Sequence, residues 1–136
     1  MKNASVLIVE DEQIVAMDIR NTLENYGFQV AGQTDSGEDA ITKARDLHPD
    51  LILMDINLKG VLDGIEAAIQ IRAQFDVPVI FLTAYGNPAT FERARQAEPF
   101  AYIFKPFEER ELVSNIEMAL HKHEMERKVR ENEDKF

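Results

Sequence analysis

The chain has no cysteine, so it carries no disulfide framework, no thiolate metal site and no thiol nucleophile. It has no apolar run approaching the roughly 20 residues that a membrane-spanning helix needs, and no signal-peptide pattern at its start. Internal repeats and low-complexity segments are also missing. Basic side chains are in deficit: 15 Lys and Arg stand against 25 Asp and Glu, a net charge of −10. Phosphate backbones are held by clustered cationic surface, so this balance argues against nucleic acid as a direct partner. What remains is the profile of one globular domain, 136 residues long and 45% hydrophobic, large enough for a proper core. A reducing cytoplasm is the expected location, with no membrane contact. The charge deficit is not spread evenly, because residues 121–136 carry five basic and five acidic side chains.

Residues 51 to 58 read LILMDINL. Four apolar residues in a row, bounded by a polar loop, read as a strand buried on both faces of a parallel sheet. Ligands in such sheets sit beyond the carboxyl ends of the strands, so Asp55 is a carboxylate delivered to the rim. The run VLIV at 6–9 makes a similar strand ending in Glu10, Asp11 and Glu12. Val15, Ile19, Thr22, Leu23 and Tyr26 then recur at helical spacing, with Gly27 placed as a C′ residue. Phe28 to Gln33 alternates more weakly, as an edge strand does. Ser36 with Asp39 suggests a capping box for a second helix reaching about Leu47, which His48 caps and Pro49 stops. Ile65, Ala68, Ile69 and Arg72 mark a third helix ending near Phe75. The run VPVIFLT from Val77 delivers Thr83 to the rim, and Asn87-Pro88 opens a short helix with Phe91 and Ala94 inward. A fifth strand, AYIF, is closed by Lys105-Pro106, and Leu112, Val113, Ile116, Ala119 and Leu120 stripe a final helix.

Strands alternating with helices at this spacing imply crossover units and a parallel sheet covered on both faces. One edge then gathers Glu10, Asp11, Asp55, Thr83 and Lys105. Three carboxylates brought together repel, and the usual remedy is a divalent cation with hard oxygen ligands, Mg²⁺ suiting best. Metal, ammonium and hydroxyl around one carboxylate form a clamp for a phosphoryl group, whose transfer depends on positioning and charge neutralisation. The residues thus predict an aspartate that accepts a phosphoryl group with Mg²⁺ assistance.

The motifs VLIVEDE, LILMDINL, VIFLTAYG and YIFKPF, in this order and at these spacings, resemble the receiver domain of two-component response regulators. The likeness covers roughly residues 4–122, giving a receiver domain at 1–122 and a charged helical extension or linker at 123–136. It implies an α/β fold: a doubly wound, five-stranded parallel sheet of order 2-1-3-4-5, flavodoxin- and CheY-like, with an extended C-terminal helix. It further implies that a sensor histidine kinase phosphorylates Asp55 and that the face of helix 4, strand 5 and helix 5 then shifts. That shift would control a downstream effector protein or a C-terminally attached domain. The domain would be no enzyme, although it assists its own phosphorylation and dephosphorylation. On this likeness Asp11 is a direct Mg²⁺ ligand, Glu10 acts through water and Asn57 offers its backbone carbonyl. Thr83 and Lys105 meet the phosphoryl oxygens, Tyr102 is an aromatic switch that turns inward, and Pro106 follows a cis peptide bond. Homodimers through the same face are common among relatives.

The chain departs from the pattern at Glu10, where Asp is commoner, and in the loop KGVLDG, which is one residue longer and lacks a proline. Asn57 and Tyr85, two residues past Asp55 and Thr83, occupy places that influence phosphoryl lifetime in this family. The alternative is a chemically silent pseudo-receiver serving as an interaction or dimerisation module; such domains usually lack the acceptor or the lysine, and both are here. A haloacid-dehalogenase-type phosphatase wants a second acidic residue where this chain has Asn57. Glu12, His121 and His123 read as solvated, and Tyr26 and Tyr85 as packing residues. In the tail, Glu124 with Lys128, Glu126 with Arg130 and Glu131 with Lys135 form i,i+4 pairs. Met118, Met125 and Val129 fit heptad places, with Lys122 interrupting the seam.

Overall fold

The apolar runs become five strands: β1 (Ser5–Val9), β2 (Gln29–Thr34), β3 (Leu51–Asp55), β4 (Val79–Thr83) and β5 (Ala101–Phe104). Between and after them lie α1 (Gln13–Asn25), α2 (Gly37–Leu47), α3 (Gly64–Gln74), α4 (Pro88–Arg95) and α5 (Glu109–Asp134). This computed structural model describes residues 3–84 and 88–134, so the expectations for Tyr85, Asn87 and Lys135 lie outside the described residues. All strand pairs are parallel, in the order β2-β1-β3-β4-β5.

Alternation along each strand splits the core in two. Leu7, Val9, Ile52, Met54, Val79 and Phe81 face a layer built with α2, α3 and α4, where Ala40, Ala67, Ala68 and Ala94 let the helices sit close. Val6, Ile8, Leu51, Leu53, Ile80 and Leu82 face the opposite layer, closed by α1 and α5. Every residue of β3 and β4 is buried, whereas β2 and β5 are only partly so, as befits two central strands and two edges.

The helix ends follow local chemistry. Gly27 has φ 89, and the amides of Gly27 and Phe28 donate back to the Glu24 and Leu23 carbonyls, which is a Schellman cap. That cap claims Phe28, so β2 starts at Gln29 instead. Tyr26, at the cap itself, is 46% exposed and does not pack inward as its spacing suggests. Ser36 accepts the Asp39 amide at 3.1 Å, but this is half a capping box, because the Asp39 carboxylate is engaged by Thr34 and Lys43. His48 ends α2 in the left-handed conformation, φ 48. The complete box is at α3: Asp63 accepts the Glu66 amide at 2.9 Å and Glu66 accepts the Asp63 amide at 3.2 Å.

α5 is one unbroken helix of 26 residues. Its first half seats Leu112, Val113, Ile116, Ala119 and Leu120 in the core. Its second half is tied back by Asp76, which meets His123 Nε2 at 3.1 Å and Arg130 at 2.6 Å. His123 is therefore drawn against the domain and is not freely solvated, while His121 is exposed. The ion pairs along this half also differ from the sequence expectation. Arg127 bridges Glu124 and Glu131, and Lys122 meets Glu126. Arg130 turns to Asp76, so the tertiary neighbour overrides the i−4 partner.

Candidate functional site

Backbone pairing that continues past the strand ends carries the polar residues to one rim. The Glu10 amide bonds the Thr34 carbonyl at 3.0 Å, Ile56 bonds Leu82 at 3.0 Å and Lys105 bonds Thr83 at 2.8 Å. Each group that follows a strand is thereby tied to the neighbouring strand. The register sets Asp55 opposite Leu82, with Thr83 one residue further along the neighbouring strand. The Lys105-Pro106 peptide bond is cis.

At this rim Glu10, Asp11 and Asp55 each present a carboxylate oxygen, all within 4.8 Å of one another. No second group of three such side chains is gathered this closely among the described residues. Glu10 is fully buried and Asp55 is 3% exposed. Lys105 Nζ sits among them, 2.6 Å from Glu10 Oε1, 3.4 Å from Asp55 Oδ2 and 3.6 Å from Glu12 Oε1. The other oxygen of Asp55 accepts the Asn57 amide at 2.9 Å. Glu12 keeps its exposed carboxylate, as expected, but its amide donates to Glu10 Oε2 at 3.1 Å. A cleft of about 650 Å³ opens over the group, lined by Asp11, Glu12, Asp55, Asn57, Lys59 and Lys105 among others.

One ammonium does not balance this much negative charge. Burial, and then the neighbouring Asp55 carboxylate, push Glu10 from its ordinary value of 4.5 up to about 7, against the opposing pull of Lys105. Burial works to lower the Lys105 pKa, yet Glu10 and Asp55 outweigh it and the net direction is upward. Glu10 Oε1 is buried without an aligned hydrogen bond even though the ammonium is close. A divalent cation bound by this set would hold Glu10 ionised and satisfy that oxygen. The donors are hard carboxylate oxygens, which fits Mg²⁺.

The loop after Asp55 is braced by residues that the motifs do not single out. Gly64 passes so near the acceptor that a Cβ there would lie 2.0 Å from the Asp55 carbonyl oxygen. Glu38 reaches from α2 to accept the Leu62 amide at 2.6 Å. Asp63 Oδ2 takes Arg93 of α4 at 2.9 Å while its other oxygen caps α3. The signal for the cap lies in the D-x-x-E spacing of Asp63 and Glu66.

Thr83 is fully buried at the end of β4. Tyr102 lies between Phe81 and Phe91, with ring centroids 6.0 and 5.4 Å away. Its hydroxyl is buried with no hydrogen-bond partner among the described residues, and burial raises its pKa despite Arg95 nearby. Phe91 also meets Phe104, which is 51% exposed, so an aromatic chain runs from the core to the surface of α4 and β5.

The family described as response regulator receiver domain matches residues 6–117. The transcriptional regulatory protein PdtaR of Mycobacterium tuberculosis is 37% identical over 115 residues, covering 85% of this chain and 56% of that protein. The chain spans about half the length of the curated relatives it matches. Among solved structures, the signal receiver domain of a modulated diguanylate cyclase from Desulfovibrio desulfuricans G20 superposes with TM-score 0.88 at 43% identity, covering 92% of this chain and 99% of that one. The receiver domain of sensor histidine kinase PA1611 from Pseudomonas aeruginosa PAO1 superposes with TM-score 0.80 at 34% identity, covering 88% of this chain and 98% of that one. That structure has a magnesium ion coordinated in its active site cleft.

Proposed function

Because the chain belongs to the response regulator receiver domain family, we propose that Asp55 is its phosphoacceptor and that a sensor histidine kinase is the donor. The observation that carries this reading is the convergence of Lys105 and two further carboxylates on a buried aspartate that faces an open cleft. Asp11, Asp55 and the backbone carbonyl of Asn57 would hold Mg²⁺, with Glu10 acting through water. When bound, the ion supplies positive charge against the phosphoryl oxygens.

A carboxylate oxygen of Asp55 attacks the phosphorus of a kinase phosphohistidine. The O–P bond forms, the N–P bond breaks and the departing imidazole takes up a proton. The Asn57 amide holds the other Asp55 oxygen and so orients the nucleophile. Lys105 turns from Glu10 to the new phosphoryl group, and the Thr83 hydroxyl bonds it. These contacts exist only after transfer, so they favour a second arrangement of α4 and β5 by population shift. Tyr102, Phe91 and Arg95 are the side chains that move most.

Residues 1–122 act as the receiver, and 123–136 extend it toward an effector or an attached domain. No helix of the described residues is long and apolar enough to cross a membrane, and the cytoplasm is where a kinase would meet this domain. The test is intact-mass measurement after incubation with acetyl phosphate, with and without Mg²⁺, beside Asp55→Asn. One phosphoryl group gained only with both Mg²⁺ and Asp55 is expected. No adduct from either acetyl phosphate or an authentic kinase overturns the proposal in favour of a silent receiver.

A further inference from the structure

The side chains lining the cleft include four carboxylates, Asp11, Glu12, Asp35 and Asp55, and two ammonium groups, Lys59 and Lys105. Lys105 is already engaged, since its Nζ lies within 3.6 Å of Glu10, Asp55 and Glu12 oxygens. Lys59 is exposed, and its side chain makes no ion pair or hydrogen bond among the described residues. The backbone that carries it is fixed all the same. Leu58 before it is in the core at 6% exposure, and Gly60 after it turns the chain at φ 116. Two residues further on, the Leu62 amide is tied to Glu38 of α2 at 2.6 Å. A braced loop thus presents an unpaired ammonium to a cleft whose other charges are mostly negative. Lys59 lies just past the stretch LILMDINL, outside the motifs that carry the likeness to receivers.

We propose that Lys59 is a further substrate-binding residue: it draws the anionic phosphoryl donor into the cleft and holds its phosphoryl oxygens over Asp55. This rests on the reading of Asp55 as the phosphoacceptor. The ligand is the doubly charged phosphoryl group itself, which acetyl phosphate and a phosphohistidine share. Such a group must pass Asp11, Glu12 and Asp35 to reach Asp55, and like charges oppose its approach. Lys105 cannot answer that repulsion at the mouth, because the carboxylates hold it until the phosphoryl group has arrived. Lys59 has no such partner to leave. An ammonium about 5 Å from an anionic group in a near-aqueous cleft is worth about a threefold gain in encounter, and reversing its charge about a tenfold loss. Salt erodes the effect, since the screening length falls from about 30 Å at 0.01 M to about 3 Å at 1 M.

The test follows the initial rate of phosphoryl gain by intact mass, in the full chain with acetyl phosphate and saturating Mg²⁺. At low ionic strength Lys59→Gln should react about threefold more slowly than the parent, and Lys59→Glu about tenfold more slowly. Lys59→Arg keeps the charge and should react at close to the parent rate. At 1 M salt the parent and Lys59→Gln should differ by less than about 1.5-fold. Urea midpoints should be the same for all four proteins, because the side chain makes no contact that the fold uses. Magnesium affinity, by calorimetry, should hold or rise in Lys59→Gln, since a repelling cation is lost; a damaged site would lower it. An adduct that forms at one rate in every Lys59 variant would overturn this proposal and leave the phosphoacceptor reading intact. So would a Lys59→Arg as slow as Lys59→Gln, or a difference that salt does not shrink. A parent that gains no phosphoryl group overturns the phosphoacceptor reading, and the role of Lys59 with it.

Discussion

Neutralising Glu10 should make the metal-free protein more stable, although the change deletes an ion pair with Lys105. Glu10 is fully buried and its ordinary value of 4.5 is raised to about 7. A raised carboxyl pKa means that the folded state holds the proton more tightly than the unfolded state. The associated stability is complete below pH 4.5, falls as pH rises between 4.5 and 7, and is lost above 7. At about 1.4 kcal/mol per pH unit, ionising Glu10 costs about 3 kcal/mol of stability at pH 8 and about 1 kcal/mol at pH 5. Glutamine is permanently neutral and keeps the shape of the protonated acid. Urea denaturation in a metal chelator should therefore find Glu10→Gln more stable than the parent by about 3 kcal/mol at pH 8, with the gap shrinking to about 1 kcal/mol at pH 5. For a domain of this size the larger gap is a rise in Tm of about 10 °C. Added Mg²⁺ should narrow it, because a cation favours ionised Glu10. A variant no more stable than the parent at pH 8, or a gap that does not widen with pH, would refute the reasoning.

Gly64→Ala should destabilise the fold by about 3 kcal/mol, the upper part of the range for overpacking, because the atoms its Cβ meets are the backbone of Asp55 and Ile56; urea midpoints measure it. Asp63→Ala loses the α3 cap together with the Arg93 contact and should cost about 1–2 kcal/mol. Asp63→Asn keeps the cap and loses only an exposed ion pair, so it should stay within about 0.5 kcal/mol of the parent in the same assay. Tyr102→Phe removes a buried hydroxyl with no partner among the described residues and should raise stability by about 1 kcal/mol in thermal melts.

The central layer was legible because β3 and β4 are buried on both faces, which leaves their sequences as unbroken apolar runs. Boundaries were less so where another demand intervened. Phe28 looks like a strand residue but is claimed by the Schellman cap of α1. Val77 and Pro78 lead into β4 from outside, since proline has no amide to donate. The rim residues follow from motif order, and the structure gathers Glu10, Asp11, Asp55 and Lys105 there. The depth of Glu10 could not be read, because burial depends on Thr34 and Lys105, which are remote in sequence. Surface charges were least legible. Arg130 has Glu126 one turn back but chooses Asp76, a residue of another loop.

A rod held at two points has a direction. α5 is seated in the core through Leu120 and fastened again at Asp76 through Arg130, with no break between. The 14 residues from 121 to 134 extend about 21 Å at 1.5 Å per residue, and Asp76 holds them at His123 and again at Arg130. The helix that closes the sheet is thus also a strut between the core under Leu120 and the loop that carries Asp76, and losing Asp76 would free its far half from the domain.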